Sequence, residues 1–154
     1  MANHSSSHYP DIGALGEDLV TQWLESNNWF ILHRRWRCRW GEIDIIAQRE
    51  DDFGTVILIF VEVKTRSAGN WDAGGRMAIA PSKQVKLCRT AAMFLANFPE
   101  KADYPCRFDV AIVCCQRKII KTNAIFSLSA SGYYLTLQEY IQAAFEYSID
   151  NPQY

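Results

Sequence analysis

The chain has 154 residues, of which 49% are hydrophobic and 13% aromatic, enough for one globular domain with a substantial core. A net charge of −1 gives no overall signature of polyanion binding, and the longest apolar run, Val56–Val61, is too short to span a bilayer. Five cysteines without a CxxC pair argue against a disulfide framework or a zinc knuckle. We therefore expect a cytoplasmic protein with no membrane segment, a loose tail over residues 1–10 and a single domain over residues 11–154.

The first predicted element is a helix that begins at Asp11 and ends near Asn27. Aspartate is a favoured N-cap, and apolar residues recur at the spacing of one helical face. That face consists of Ile12, Leu15, Leu19, Trp23 and Leu24. Glu17 lies near the border of this apolar stripe.

Three strands are predicted next, over Trp29–His33, Gly41–Arg49 and Thr55–Thr65, the last rich in β-branched residues. The turn Glu50–Gly54 joins the second and third strands. Its acidic residues could form a metal loop, but a solvated hairpin connection is the better interpretation.

The second half of the chain begins with Ser67–Ala80, a glycine-containing stretch that we predict to be a long loop. A helix should follow from Pro81 to about Asn97, with its core face formed by Val85, Cys88, Ala92 and Leu95. The remaining predicted elements are two strands, Arg107–Cys115 and Lys118–Phe126, and a final helix, Gln138–Tyr147. This order predicts a mixed sheet flanked by helices, an α/β fold.

Two predicted strands carry charge inside otherwise apolar sequence, in the segments Gly41–Ile46 and Val61–Lys64. Alternation along a strand places Glu42 with Asp44 on one face of the first segment, and Glu62 with Lys64 on one face of the second. Buried charge is costly unless it is compensated, and such a cluster can hold a divalent metal ion. The alternative is an ion pair at the end of a strand, with no chemical role.

A cluster of arginine and tryptophan, His33–Trp40, directly precedes the first of these segments. Its guanidinium groups could contact phosphates while an indole packs on a base or sugar. Alternatively, the cluster is a strand connection whose arginines are solvated and whose tryptophans cover the core.

The arrangement of Glu17, Asp44 and Glu62-Val63-Lys64 resembles the PD-(D/E)XK nuclease superfamily, in its branch similar to archaeal Holliday junction resolvases. The chain is also similar to the YraN-type family of predicted endonucleases, with Ile43 in place of the superfamily's proline. That similarity rests on Gly16-Glu17, Gly41-Glu42-Ile43-Asp44, Phe60–Arg66 and Arg107–Val110. It implies a restriction-endonuclease-like three-layer fold with a mixed central β-sheet.

The resemblance also implies a metal-dependent endonuclease that hydrolyses phosphodiester bonds in DNA, with branched recombination or repair intermediates among its candidate substrates. Asp44, Glu62 and the carbonyl of Val63 would bind Mg²⁺ or Mn²⁺, whose preferred ligands are hard oxygens. Glu17 would hold a metal-bound water, and Lys64 would orient the attacking water and stabilise charge. We expect the carboxylates beside Lys64 to favour its charged form.

Nucleic acid, in the first place DNA, is the implied partner, and resolvases of similar fold imply a homodimer. The candidate nucleic-acid contacts are Arg34, Arg35, Arg37, Arg39, Arg66, Lys83 and Gln84. Arg107 and Asp109, two residues apart on a strand, are interpreted as a local structural pair. Two other classes remain open, a catalytically inactive nucleic-acid-binding protein and a structural or interaction module.

Overall fold

The structure, a computed structural model, describes residues 11–67, 79–118 and 123–146. The predicted tail, residues 1–10, and most of the predicted loop Ser67–Ala80 lie outside these ranges. Among the described residues there are two helices, α1 (Ile12–Ser26) and α2 (Pro81–Asn97). The strands are β1 (Phe30–Cys38), β2 (Gly41–Glu50), β3 (Val56–Ser67), β4 (Cys106–Gln116), β5 (Phe126–Ala130) and β6 (Tyr133–Phe145).

The strands form one six-stranded sheet in the order β1-β2-β3-β4-β6-β5. The pair β3 and β4 is parallel and every other neighbouring pair is antiparallel, so the sheet is mixed. Parallel neighbours need a crossover connection, and α2 lies in the connection between β3 and β4. The predicted mixed α/β architecture is confirmed.

One helix packs on each face of the sheet, and each forms its own apolar core. On the α1 side the buried residues include Leu19, Leu24, Ile45, Ile59 and Val61. On the α2 side they include Ile46, Leu58, Phe60, Leu87, Phe94 and Phe108. Neighbouring residues of β3 therefore alternate between the two cores, as the period of two in a strand requires.

Helix α1 begins and packs as its sequence predicts. The Oδ1 atom of Asp11 accepts a hydrogen bond from the backbone N–H of Ala14 at 3.2 Å, which caps the helix. Leu19 and Leu24 are fully buried against the sheet. The carboxylate of Glu17 is carried inward by the same helix, and the residue is only 8% exposed.

Gly16 allows α1 to approach β3 more closely than any other residue would. A Cβ atom at this position would lie 2.0 Å from Oγ1 of Thr65. Real side chains do not approach so closely, so the absence of a side chain at Gly16 sets the distance between the helix and the strand. This contact fixes the position of Glu17, the next residue along α1.

The acidic turn between β2 and β3 is a hairpin connection, as expected. The Oδ1 atom of Asp51 accepts hydrogen bonds from the backbone N–H groups of Phe53, at 2.9 Å, and Thr55, at 2.8 Å. Gly54 adopts a φ of +81°, which glycine tolerates without strain. The side chain of Asp51 therefore satisfies the turn's own backbone.

Two sequence predictions about the elements near the site need correction. Strand β1 does not end at His33 but continues to Cys38, so most of the arginine and tryptophan cluster lies within a strand. Helix α2 buries Leu87, Ala91 and Phe94, whereas Val85 is 44% exposed. The predicted core face of α2 was wrong for Val85 and Ala92, which are exposed, whereas Cys88 and Leu95 pack partly buried against the core.

The last predicted helix, Gln138–Tyr147, is wrong, because these residues belong largely to strand β6. The predicted strand Lys118–Phe126 is also misplaced, since β5 begins at Phe126, and residues 119–122 lie outside the description. The residues of β6 favour a helix locally, but pairing with β4 on one side and β5 on the other outweighs that preference. No helix in the described part of the chain is both long and apolar enough to cross a membrane.

A buried carboxylate explains how β6 is held in place. Asp109 on β4 is 1% exposed and forms two hydrogen bonds with Arg107, at 2.8 and 2.9 Å. It also accepts bonds from the Tyr140 hydroxyl, at 2.6 Å, and from the backbone N–H of Ala143, at 3.0 Å. Arg107 and Asp109 thus form the predicted structural pair, and the pair fixes β6 against β4.

The close approach at Gly16 generates a stability prediction. Gly16→Ala should lower the free energy of unfolding by about 2 kcal/mol, because the added Cβ overlaps Oγ1 of Thr65. Thr65→Ala removes that oxygen and should restore part of the loss in the double variant, although Cβ of residue 65 still lies 3.2 Å away. Urea unfolding of the four proteins gives the coupling energy directly.

Gly13→Ala is the matched control, since Gly13 is exposed on the same helix and faces only the end of the Asp11 side chain. This variant should be nearly as stable as the parent protein. A Gly16→Ala protein that is equally stable would contradict the close approach.

Candidate active site

Asp44 lies where strands β2 and β3 stop pairing. Their ladder ends at the pair Ile45 and Val61, and beyond it the Oδ2 atom of Asp44 accepts a hydrogen bond from the backbone N–H of Val63 at 2.7 Å. The N–H and C=O groups of one strand residue point toward the same neighbouring strand. The Val63 carbonyl therefore faces the β2 side, where the carboxylate of Asp44 lies.

Glu62 is buried on the α2 side of β3, with 7% of its surface exposed. Its Oε1 atom accepts a hydrogen bond from Nζ of Lys83, on the first turn of α2, at 2.5 Å. Lys83 was predicted to contact nucleic acid, but here its ammonium neutralises a site carboxylate. A buried carboxylate without such a partner would be strongly destabilising.

The charge around Asp44 makes its ionisation unfavourable. Burial and the charge of Glu62 raise the pKa of Asp44 to about 7, against the lowering effect of the hydrogen bond from Val63. The more distant charge of Glu17 acts in the same direction as Glu62. A cation in this site would offset these terms and favour the ionised carboxylate.

Lys64 shares the α2 face with Glu62. Burial and the neighbouring charge of Lys83 lower the pKa of Lys64, and the charges of Glu62 and Asp44 oppose this only in part. The carboxylates favour the charged form of Lys64, as expected, but burial and the charge of Lys83 outweigh them. For Lys83 the balance is reversed. Burial lowers its pKa, but the hydrogen bond and the charge of Glu62 outweigh burial, so the pKa of Lys83 is raised.

Asp44, Glu62 and Lys83, but not Lys64, line a pocket of about 400 Å³ between the sheet and α2. The residues lining the pocket are Trp40, Gly41, Glu42, Asp44, Glu62, Ser82, Lys83, Lys86, Leu87 and Thr90. Within the described ranges no group of three or more histidine, cysteine, aspartate or glutamate side chains is placed to hold a metal ion. A cation here would thus rely on the Asp44 and Glu62 pair together with backbone oxygen and water.

Glu17 does not line this pocket. Its Oε2 atom accepts a hydrogen bond from Nε of Arg35 at 2.7 Å and lies 3.5 Å from Nη2 of Arg34. Glu17 acts on Asp44 through its charge, but its carboxylate is held by the arginines of β1. The structure therefore brings Asp44, Glu62 and Lys64 together and places Glu17 beside them.

The predicted nucleic-acid contacts divide into two groups. Arg34 and Arg35 both contact Glu17. In addition, Arg34 pairs with Asp18 at 2.8 Å and Arg35 pairs with Asp11 at 3.6 Å. Arg37 forms an ion pair with Glu42. These three guanidinium groups already have carboxylate partners, which offset the positive charge that they offer to a phosphate.

Arg39 belongs to the second group. Its guanidinium carbon lies 5.0 Å from the ring centroid of Trp40, and that of Arg89 on α2 lies 4.9 Å from the same ring. The sequence prediction missed Arg89. Ser82, Lys86 and Arg89 are four and then three residues apart, so they share one polar face of the helix. That spacing could have identified Arg89.

Gln84 has a local structural role. Its Nε2 atom donates a hydrogen bond to the backbone carbonyl of Ile79 at 2.8 Å, which secures the start of α2. Arg66 lies half-buried on β3, two residues beyond Lys64. Neither lines the pocket.

The fold and the site together define a mixed α/β protein with a buried acid and lysine cluster between its sheet and one helix. The model of the uncharacterised protein family UPF0102 matches residues 16–113, and the chain belongs to that family. The matched range begins at the Gly16 contact and ends within β4, so it contains the whole candidate site. Membership of an uncharacterised family is thereby confirmed, whereas nuclease activity stays a prediction.

The similar proteins carry only the family description. A UPF0102 protein of Trichormus variabilis is 55% identical over 147 residues, which cover 91% of this chain and 97% of the relative. A UPF0102 protein of a Nostoc species is 57% identical over 136 residues, covering 88% and 94%. A UPF0102 protein of a Synechocystis species is 44% identical over 151 residues, covering 88% and 97%.

The raised pKa of Asp44 generates a prediction about stability and pH. A carboxyl whose pKa is raised in the folded protein stabilises the fold when it is protonated, and that contribution is lost as pH rises toward about 7. Asp44→Asn keeps an oxygen for the Val63 N–H but has no charge. In EDTA at pH 8 it should raise the melting temperature by several degrees, and the gain should shrink toward pH 4.

Glu42→Gln is the control, because Glu42 lines the same pocket but is already paired with Arg37. Its melting temperature should show no comparable gain at pH 8. A lower melting temperature of Asp44→Asn at pH 8 in EDTA would show that the ionised Asp44 carboxylate does not destabilise the folded protein.

Proposed function

We propose that this protein is a metal-dependent endonuclease of the restriction-endonuclease-like fold, which hydrolyses phosphodiester bonds in DNA. The observation that carries the proposal is the convergence of the buried Glu62 and the partly buried Asp44 beside Lys64 at the end of a strand ladder. The charge of Glu62 disfavours the ionised form of Asp44, an arrangement that weakens a fold unless a cation offsets it. Branched recombination or repair intermediates remain candidate substrates.

The donor set suits Mg²⁺ or Mn²⁺, which prefer carboxylate, carbonyl and water oxygens. One oxygen of each carboxylate accepts a hydrogen bond from the described residues, Oδ2 of Asp44 and Oε1 of Glu62. Oδ1 of Asp44, Oε2 of Glu62 and the Val63 carbonyl would hold the ion. When bound, it would polarise a phosphoryl oxygen and lower the pKa of water.

The chain's own residues would orient the reacting groups. The Val63 N–H fixes the Asp44 carboxylate, so its free oxygen keeps a constant direction. Lys64 would orient the attacking water and stabilise charge on the phosphate. Lys83 donates to Oε1 of Glu62, which would leave Oε2 free for the ion and place the ammonium group beside the phosphate.

Glu17 would contribute through position and charge. It is buried beside the site and its charge reaches Asp44, which supports a role in holding a water near the ion. Its hydrogen bond with Arg35 would have to loosen for this role. A homodimer, as in resolvases of similar fold, is part of the proposal, since a branched substrate has two strands to cut.

One observation favours a second candidate, a nucleic-acid-binding protein without catalysis. The ion pair of Lys83 with Glu62 already neutralises the buried carboxylate, so the site does not strictly need a metal ion. Such a protein would bind DNA in a salt-dependent manner without cleaving it. The two candidates differ in whether divalent ions bind Asp44 and Glu62.

Cleavage of labelled DNA tests the proposal. The protein should cut at least one of a set of linear, single-stranded, flapped and four-way-junction DNAs in Mg²⁺ or Mn²⁺. Asp44→Asn and Glu62→Gln should each reduce the rate by about a thousandfold, because each removes a metal ligand. Divalent ions should also raise the melting temperature of the parent protein but not of these variants.

Glu42→Gln is again the matched control and should retain most activity. Cleavage that survives in both Asp44→Asn and Glu62→Gln would refute this site. Salt-sensitive junction binding without cleavage or metal stabilisation would instead support the binding protein.

Lys64→Arg tests the role of the lysine separately. Arginine keeps the positive charge but presents a wider, planar group, so we expect most cleavage activity to be lost. Metal stabilisation of the fold should survive, since neither carboxylate changes. Undiminished cleavage in Lys64→Arg would show that the lysine does not position the water.

A further inference from the structure

The arginines nearest the site differ in whether they have a carboxylate partner. Arg34, Arg35 and Arg37 each form an ion pair with a described carboxylate. Arg39 and Arg89 form none within the described ranges, and both lie over the indole of Trp40. Among these five arginines, the two without a described carboxylate partner therefore lie around one aromatic ring.

Trp40 stands at the mouth of the pocket that contains Asp44 and Glu62. It lines this pocket, and 37% of its surface is exposed, which is unusual for so large an apolar side chain. Lys86, also exposed, lines the same pocket from α2. An aromatic ring and an ammonium group thus line the acidic site, and two guanidinium groups lie over that ring.

We propose that Trp40, Arg39 and Arg89 form a binding site for an unpaired nucleotide of single-stranded DNA, next to the scissile phosphate. This inference rests on the proposed function in one respect only, namely that the neighbouring phosphate is the one that is cleaved. The base would take the place of a guanidinium group over the indole and stack on it, and the arginines would bind the backbone, which is how single-stranded nucleic acid is held in general.

The geometry favours an unpaired nucleotide over a duplex. Bases in a duplex are stacked on one another and offer only their edges, whereas an unpaired base exposes its flat face. Trp40 lies in the turn between β1 and β2 and can receive such a face at the rim of the pocket. Phosphates on either side of that base would meet Arg39 and Arg89.

Fluorescence anisotropy in EDTA separates binding from cleavage. A labelled single-stranded oligonucleotide should bind more tightly than the blunt duplex of the same sequence. Trp40→Ala should weaken binding of the single strand by about tenfold or more and change duplex binding little, while Trp40→Phe should retain most affinity. Arg89→Ala should weaken single-strand binding and reduce its salt dependence.

Two variants serve as matched controls. Phe53→Ala removes an aromatic side chain that is 93% exposed in the β2–β3 turn, and Arg37→Ala removes an arginine that already has a partner. Neither should change single-strand affinity as strongly. Melting curves of all variants show that each is folded, and Trp40→Phe keeps the test valid if Trp40→Ala unfolds.

The outcomes distinguish this inference from the proposed function. Equal affinity of the parent and both Trp40 variants for the single strand, or no single-strand binding at all, would overturn the nucleotide site even if metal-dependent cleavage is found. Trp40-dependent binding without any cleavage would support the nucleotide site and reject the nuclease.

Discussion

The hydrogen bond from the Val63 backbone to Asp44 is the interaction on which the site depends. In a regular ladder, the N–H of a strand residue pairs with a carbonyl of its neighbour. Here a carboxylate takes that place directly after the last pair, Ile45 and Val61. The bond therefore ends the ladder, fixes the carboxylate and leaves the Val63 carbonyl facing the same side. One backbone contact thus links the sheet register to the position of the acidic groups.

The charged groups near this bond reduce the stability of the fold when Asp44 is ionised. Asp44 is protonated more readily than an exposed aspartate because burial and Glu62 act together. Glu62 itself is neutralised by Lys83, a residue from the other side of the pocket. The sheet and α2 are therefore joined by an ion pair inside the candidate site. An anion that entered would compete with Glu62 for Lys83, so anion binding and the contact between α2 and β3 are physically coupled.

The sequence could predict the parts of this structure that depend on local pattern. The cap and apolar stripe of α1, strands β2 and β3, and the common face of Glu62 and Lys64 follow from spacing and alternation. The prediction failed where distant residues decide. Gln138–Tyr147 has helical preference, yet Asp109 binds Tyr140 and secures these residues as a strand. The partners of Arg34 and Arg35 could not be predicted either, because they depend on which helix packs beside β1.

That packing also explains why the arginine cluster contributes less free positive charge than its sequence implies. Gly16 lets α1 lie close to β3, and this places Glu17 within reach of Arg35 on the edge strand. Arg35 adopts a φ of +52°, a strained backbone conformation for a residue other than glycine. The ion pair and the strain thus occur together at the edge where α1 meets β1. Arg37 is paired instead with Glu42 of β2, whereas Arg39 forms no ion pair with a described carboxylate, so its positive charge stays available beside Trp40.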